Sequence, residues 1–185
     1  MVYVLLGTGF EAIEALAAVN TLRRGGADVT MVGIGGMTVA SSHSIQVTAD
    51  AAVEDVVLAP GDMVVLPGGL GGVASIEASE PAMALTRQAA QDDSMRLGAI
   101  CAAPAMLARQ GIIGAGVSAV CYPGLEGDLL AAGVTPCMEQ SAVVSGRIIT
   151  GRAPGSAYDF ALALLAAVKG EAAAEAVRAD MCYDR

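Results

Sequence analysis

Leu97-Gly98-Ala99-Ile100-Cys101-Ala102-Ala103-Pro104-Ala105-Met106-Leu107 reads as a short buried strand, a sharp turn carrying one thiol, and a helix. Leu97 to Ile100 are apolar and tightly bounded, as a strand covered on both faces requires. Pro104 suits the first turn of a helix, where its missing N–H costs nothing, and Ala105 to Arg109 are good helix formers. Cys101 then falls at the C-terminal end of a strand, facing a helix N-terminus. Free backbone N–H groups and the helix dipole there favour a thiolate. The alternative is a small buried core cysteine, a common fate of free thiols.

The rest of the chain repeats this strand–turn–helix rhythm. Val2 to Leu6 is a continuous apolar run of strand length, ended by Gly7-Thr8-Gly9. Phe10 to Arg24 predicts a helix with Ile13, Leu16, Ala17 and Leu22 on its apolar side, stopped by Gly25-Gly26. Ala27 to Gly33 predicts the next strand and completes a βαβ unit. Thr38–Ala40 and Ile45–Val47 predict a hairpin turning at residues 41–44. Met63–Leu66 predicts a third parallel strand, closed by Pro67-Gly68-Gly69 and Gly71-Gly72, with the next helix starting at Ser79-Glu80-Pro81. Beyond Gln110 come a short strand at Val117–Val120 and a short helix at Leu125–Ala132. Edge strands are expected at Thr135–Met138 and Ala142–Ser145, and a strand at Ile148–Thr150. Helices follow over Ala157–Lys169 and Glu171–Arg178. Four turns, at residues 7–10, 67–72, 101–103 and 151–156, end predicted strands. In a parallel sheet they converge along one edge, where open α/β sheets hold their sites.

A chain of 185 residues without linker or repeat is expected to form one domain, 1–185. Hydrophobic residues make up 55% and aromatics 3%, which suits an α/β fold built from small side chains. The net charge of −9, with no basic stripe, argues against nucleic acid and anionic membranes as partners. No apolar run is long enough to suggest a membrane span, and no basic leader precedes the first strand. Cys101, Cys121, Cys137 and Cys182 form no C-x-x-C pair, and His43 is the single histidine, so no zinc site is expected. Free thiols fit a reducing cytoplasm.

Gly7-Thr8-Gly9 with Ala12 approximates a dinucleotide fingerprint, but Glu11 and Glu14 would repel a pyrophosphate. Pro67 to Gly72 lacks the Lys-Ser/Thr of a phosphate loop; it reads either as bare N–H groups offered to an anion or as a tight connection. No cofactor is expected. Glu14 falls in the first turns of its helix and could stand near Cys101. A protonated carboxyl donates a hydrogen bond to a thiolate, whereas an ionised one raises the thiol pKa. Glu11 and Glu14 could equally be early-helix acids complementing the dipole. A Cys–His hydrolase is disfavoured because Ala102, not histidine, follows Cys101, and a histidine on a turn, such as His43, is usually solvated.

Taken together, Gly9-Phe10-Glu11-Ala12-Ile13-Glu14, Leu66-Pro67-Gly68-Gly69, Ala99-Ile100-Cys101-Ala102-Ala103-Pro104 and Gly151-Arg152-Ala153-Pro154-Gly155-Ser156 resemble the ThiJ/PfpI superfamily, in its parkinsonism-associated deglycase branch. The resemblance runs from Val2 to about Arg178. It implies a flavodoxin-like three-layer α/β sandwich with a mostly parallel central sheet, akin to class I glutamine amidotransferases, and a homodimer. It implies that Cys101 is the reactive elbow cysteine and Glu14 its protonated partner, with the Gly69 and Ala102 amides binding an oxyanion or oxidised sulfur. Pro154 lies in a matching motif and is expected to line the site. Tyr122 stands where one branch has a histidine; a phenol is a poor base at neutral pH, but its hydroxyl can donate or accept. His43 and Arg24 fall where the family often has polar residues near the site or the dimer contact. The implied activity is a glyoxalase III- or deglycase-like reaction on small dicarbonyls or glycated proteins. The alternative is an oxidative-stress sensor or redox-dependent chaperone acting through Cys101 oxidation. An amidase, peptidase or thiamin-pathway role ranks below both.

Overall fold

The computed structural model describes residues 1–184. Its first strand, β1 (Val2–Leu6), leads into helix α1 (Ala12–Arg24) and then strand β2 (Val29–Gly33). A small hairpin, β3 (Thr38–Ala40) and β4 (Gln46–Thr48), precedes the two-residue β5 (Ala51–Ala52). Next come β6 (Met63–Leu66), α2 (Leu70–Ala78), α3 (Glu80–Gln91), β7 (Arg96–Ile100) and α4 (Ala103–Arg109). The last third holds β8 (Ser118–Ala119), α5 (Glu126–Ala131), β9 (Thr135–Pro136), β10 (Ala142–Ser145), β11 (Ile148–Gly151), α6 (Ala157–Lys169) and α7 (Glu171–Asp180).

Seven strands form one sheet in the order β10-β11-β7-β6-β1-β2-β5, parallel except for β10, which runs antiparallel to β11. Alternation along the central strands sorts side chains onto two faces. Leu5, Val64, Leu66, Leu97 and Ala99 pack with Val73, Ile76, Met83, Leu85, Met106 and Leu107 from α2, α3 and α4. Val4, Leu6, Met63, Val65 and Ile100 pack on the other face with Ala15, Val19, Leu22, Phe160, Leu164 and Val177 from α1, α6 and α7. The result is the three-layer flavodoxin-like sandwich expected from the sequence. It aligns the C-terminal ends of β1, β6, β7 and β11 along one edge.

Three local expectations are corrected. Residues 70–78 form a helix, although Gly71 and Gly72 lie inside it. Each glycine costs a helix about 1 kcal/mol relative to alanine, which hides such a helix from propensity. Here tertiary contact needs them: a Cβ on Gly72 would stand 2.5 Å from the Cα of Phe10. The apolar side of α1 is also different. Ala12, Ala15, Ala18, Val19 and Leu22 are buried, while Ile13 is 57% and Leu16 37% exposed. Small residues let α1 approach α6 closely. Finally, Thr135–Pro136 does not edge the main sheet; β9 pairs with β8 in a separate two-stranded parallel sheet.

Candidate active site

Cys101 follows β7 with φ +65°, in the left-handed region that side chains avoid. Such a residue costs roughly 1–3 kcal/mol and persists only where its surroundings over-determine it. Two backbone bonds do so here. The Cys101 N–H donates to Gly151 O at 3.0 Å, and its carbonyl accepts from the Tyr122 N–H at 2.8 Å. β11 and the loop after β8 therefore grip the turn from both sides. The thiol is held at the sheet edge, 8% exposed.

The β1–α1 connection supplies the carboxyl. Glu11 caps α1, its Oε2 accepting from the Glu14 N–H at 2.8 Å. The Glu11 N–H donates to Gly68 O at 2.9 Å, and the Gly68 N–H donates to Glu14 Oε2 at 2.7 Å. Glu14 is fully buried, and its Oε1 has no hydrogen-bond partner among the described residues. Its carboxyl and the Cys101 side chain both pack against Gly68, which brings acid and thiol side by side. Gly68 makes this approach possible: a Cβ there would lie 2.5 Å from Cys101 Cβ and 2.6 Å from Glu14 Oε2.

Burial without a cation raises the Glu14 carboxyl from 4.5 to about 7, against the pull of the Gly68 amide and the thiol, with Glu11 adding repulsion. Burial also pushes the Cys101 thiol up to about 12, with ionised Glu14 as the next cause; the Gly69 and Ala102 amides pull the other way. This corrects the expectation that the helix N-terminus leaves a ready thiolate. The amides are present, but burial and the neighbouring negative charge outweigh them. Protonating Glu14 removes that charge and turns the carboxyl into a donor toward sulfur, so the two groups handle protons jointly.

Above the thiol opens a cavity of about 430 Å³. Gly69, Cys101 and Ala102 form its floor, and Leu70, Tyr122, Pro123, Leu125 and Pro154 its mostly apolar walls, with Glu11 on one side. The structure thus brings together Cys101, Glu14, Gly69, Ala102, Tyr122 and Pro154. It does not bring His43 or Arg24 into this cavity. His43 sits exposed on the β3–β4 turn, its Nδ1 3.1 Å from Ser42 Oγ. Arg24 ends α1, about 15 Å along the helix from Glu14, and pairs with Asp180 at 2.7 Å. Sequence reasoning missed Gly68 as the ligand of the carboxylate and Leu70, Pro123 and Leu125 as walls. The doubled glycine after β6 was the available signal for the first.

Cys121 is buried, its thiol raised to about 11 by burial and then by Glu126 and Asp128; its Sγ donates to Tyr122 O at 3.5 Å. All four cysteines are free. No group of three or more His, Cys, Asp or Glu side chains among the described residues could hold a metal ion.

A cysteine on a strained strand-to-helix elbow, with a buried carboxyl and two backbone amides beside it, at the C-terminal edge of a flavodoxin-like sheet, marks a class of α/β proteins built around an elbow cysteine. Residues 1–167 match the DJ-1/PfpI family, and the chain belongs to it. It is 36% identical over 169 residues to the Drosophila melanogaster protein dj-1beta, covering 91% of this chain and 89% of that one. A crystal structure of Drosophila melanogaster DJ-1beta superposes with a TM-score of 0.89 at 32% identity, covering 100% of this chain and 98% of the other. The Caenorhabditis elegans protein named glutathione-independent glyoxalase DJR-1.2 is 28% identical over 172 residues, covering 93% and 90% of the two chains.

Proposed function

We propose that this protein converts reactive α-oxoaldehydes, free or as adducts on proteins, into hydroxy acids, with Cys101 as nucleophile and Glu14 as acid and base. The observation that carries this reading is the buried Glu14 carboxyl, held by the Gly68 amide beside the Cys101 thiol, where burial raises it to about 7. A group near the working pH can both take and return a proton. In the first step sulfur attacks the aldehyde carbon, the thiol proton passes to the carboxylate, and the new alkoxide is met by the Gly69 and Ala102 amides. The resulting hemithioacetal carbon is one bond from sulfur, on the side where the Glu14 carboxyl stands. Glu14 first returns the thiol proton to the alkoxide; the freed carboxylate then removes the proton from that carbon and delivers it to the adjacent carbonyl carbon, while the hydroxyl proton passes to the former carbonyl oxygen, leaving a thioester. Water hydrolyses the thioester, releases the hydroxy acid and restores the thiol. The sequence is an internal rearrangement plus hydration, so its electrons balance without a redox partner. The name of the C. elegans relative supports the same chemistry.

Lactate formation from methylglyoxal tests it. The wild-type protein yields lactate, and Cys101→Ala yields none above the uncatalysed rate. Equal lactate from both proteins overturns the reading.

A second reading rests on the same amides. The Gly69 and Ala102 amides, which favour negative charge on the Cys101 sulfur and share its cavity, suit a sulfinate, formed as two peroxide molecules each transfer one oxygen to the thiolate and leave as water. Mild peroxide should then oxidise Cys101 ahead of Cys137 and Cys182, by mass spectrometry. We further propose a homodimer, supported by the exposed Ile13 and Leu16 on α1, and a cytoplasmic setting, supported by the free thiols. Among the described residues, no helix is long and apolar enough to cross a membrane.

A further inference from the structure

The walls of the Cys101 cavity carry a selectivity that the bare thiol–carboxyl pair does not explain. Leu70 is 77% exposed and Tyr122 48%, although both are large and apolar-bodied, and they stand at the cavity with Pro123, Leu125 and Pro154. Apolar surface left open around a reactive thiol loses its water when an apolar substituent lies against it. Among the described residues, Glu11 is the one charged residue that lines the cavity. Its carboxylate is fixed by the cap bond to the Glu14 N–H rather than neutralised by a cation. Arg152, two residues before Pro154, does not line the cavity. Near the rim, the Glu126 carboxylate accepts from the Gly124 N–H, adding a second negative group on that side. An anion approaching Cys101 therefore meets repulsion without a cationic side chain in the described lining to offset it.

We propose that the cavity selects neutral α-oxoaldehydes bearing an apolar substituent, aryl or branched alkyl, and that Glu11 is the residue that turns away anionic carbonyl compounds. This rests on the dicarbonyl reading for its substrate class, but its physical content is the charge and polarity preference of Cys101.

Alkylation of Cys101 separates the two, because it needs no turnover. Iodoacetamide and iodoacetate are close in size and differ in charge, and N-benzyl-iodoacetamide adds an apolar ring. Rates are followed by mass spectrometry of the Cys101 peptide and divided by the rates of the same reagents with glutathione. Both small reagents attack through the same thiolate, so a change in its population cancels in their ratio. Wild type should favour iodoacetamide over iodoacetate beyond the glutathione reference, and N-benzyl-iodoacetamide over both. Glu11→Gln, which keeps an oxygen for the helix cap, should raise the iodoacetate rate relative to iodoacetamide by roughly threefold to tenfold. Leu70→Ser, at an exposed position, should lower the benzyl preference severalfold. Raising the salt concentration on wild type should speed iodoacetate selectively, which tests the charge effect even if Glu11→Gln does not fold. The proposal is overturned if iodoacetate matches iodoacetamide on wild type after correction and salt leaves their ratio unmoved. It is also overturned if the benzyl reagent shows no preference. Absence of lactate with these preferences intact would instead remove the dicarbonyl reading alone.

Discussion

Glu14 and Gly68 face each other across the ends of β1 and β6, and the amide of one holds the carboxyl of the other at 2.7 Å. The Glu11 amide answers with a bond to the Gly68 carbonyl, so the two loops are laced in both directions. A glycine is needed because the backbone at residue 68 packs against both the carboxyl and the cysteine side chain, with no space for a Cβ. The lacing aims a buried acid at Cys101 without any cation to stabilise its charge. Its protonation, more than its position alone, then sets what the thiol can do.

Glu14 should make the protein less stable as the pH rises through neutrality. Its folded-state value of about 7 lies above the ordinary 4.5. Below pH 4.5 the group is protonated in both states and contributes nothing. Between 4.5 and 7 the unfolded chain ionises first, so stability falls with rising pH, and the loss is complete above 7. The full difference is about 3 kcal/mol. Urea unfolding at pH 4.5 and 8 should show this fall in wild type. In Glu14→Gln the fall should shrink by about that amount, and an equal fall in both would contradict a buried, proton-holding Glu14.

The same substitution should split reactivity from turnover. With ionised Glu14 gone, one cause of the raised Cys101 pKa is removed, so the thiol titrates lower. Iodoacetamide should therefore alkylate Cys101 faster in Glu14→Gln than in wild type at pH 8 to 9. Lactate formation should nonetheless fall by about 100-fold or more, the usual weight of a positioned acid–base group. A variant that alkylates faster and also turns over normally would show that Glu14 is not the proton carrier.

Much of this was legible in the chain. The apolar runs Val2–Leu6, Met63–Leu66 and Leu97–Ile100, each ended by a turn, mark the central strands because a doubly covered strand has no polar side. Pro104 marks the start of α4, and Cys101 stands out by its place before it. Other features were hidden for physical reasons. α2 starts with glycines that propensity rejects and contact with Phe10 requires. The burial of Glu14 was masked by the neighbours Ile13 and Leu16, whose size suggests an inward face. The helix instead turns its alanines, and Glu14 with them, toward the sheet. The raised thiol pKa depends on burial depth, which no local pattern encodes.

The exposed α1 face provides a separate check. Ile13 and Leu16 lie three residues apart on one helix face, and covering them with a second copy would remove apolar area from water. Ile13→Lys should shift the protein from dimer to monomer in sedimentation velocity while leaving its circular dichroism unchanged. A wild-type monomer at micromolar concentration would refute the dimer. Arg24→Ala, which breaks only an exposed pair with Asp180, should change stability by less than about 1 kcal/mol.

Gly68→Ala tests the lacing directly. The added methyl would meet Cys101 Cβ at 2.5 Å and Glu14 Oε2 at 2.6 Å, one a carbon beside strained backbone and the other part of a fixed carboxyl. Neither can retreat freely, since Cys101 is held by Gly151 and Tyr122 and Glu14 is enclosed by the core. Overpacking of this kind costs about 1–3 kcal/mol. The movement that relieves it must separate carboxyl from thiol, so the pair should lose its joint titration. Gly68→Ala should therefore unfold at lower urea and lose most of its lactate formation, with the pH dependence of Cys101 alkylation approaching that of Glu14→Gln. Retention of the wild-type alkylation profile at reduced stability would mean that the methyl is absorbed elsewhere and that residue 68 does not govern the pair.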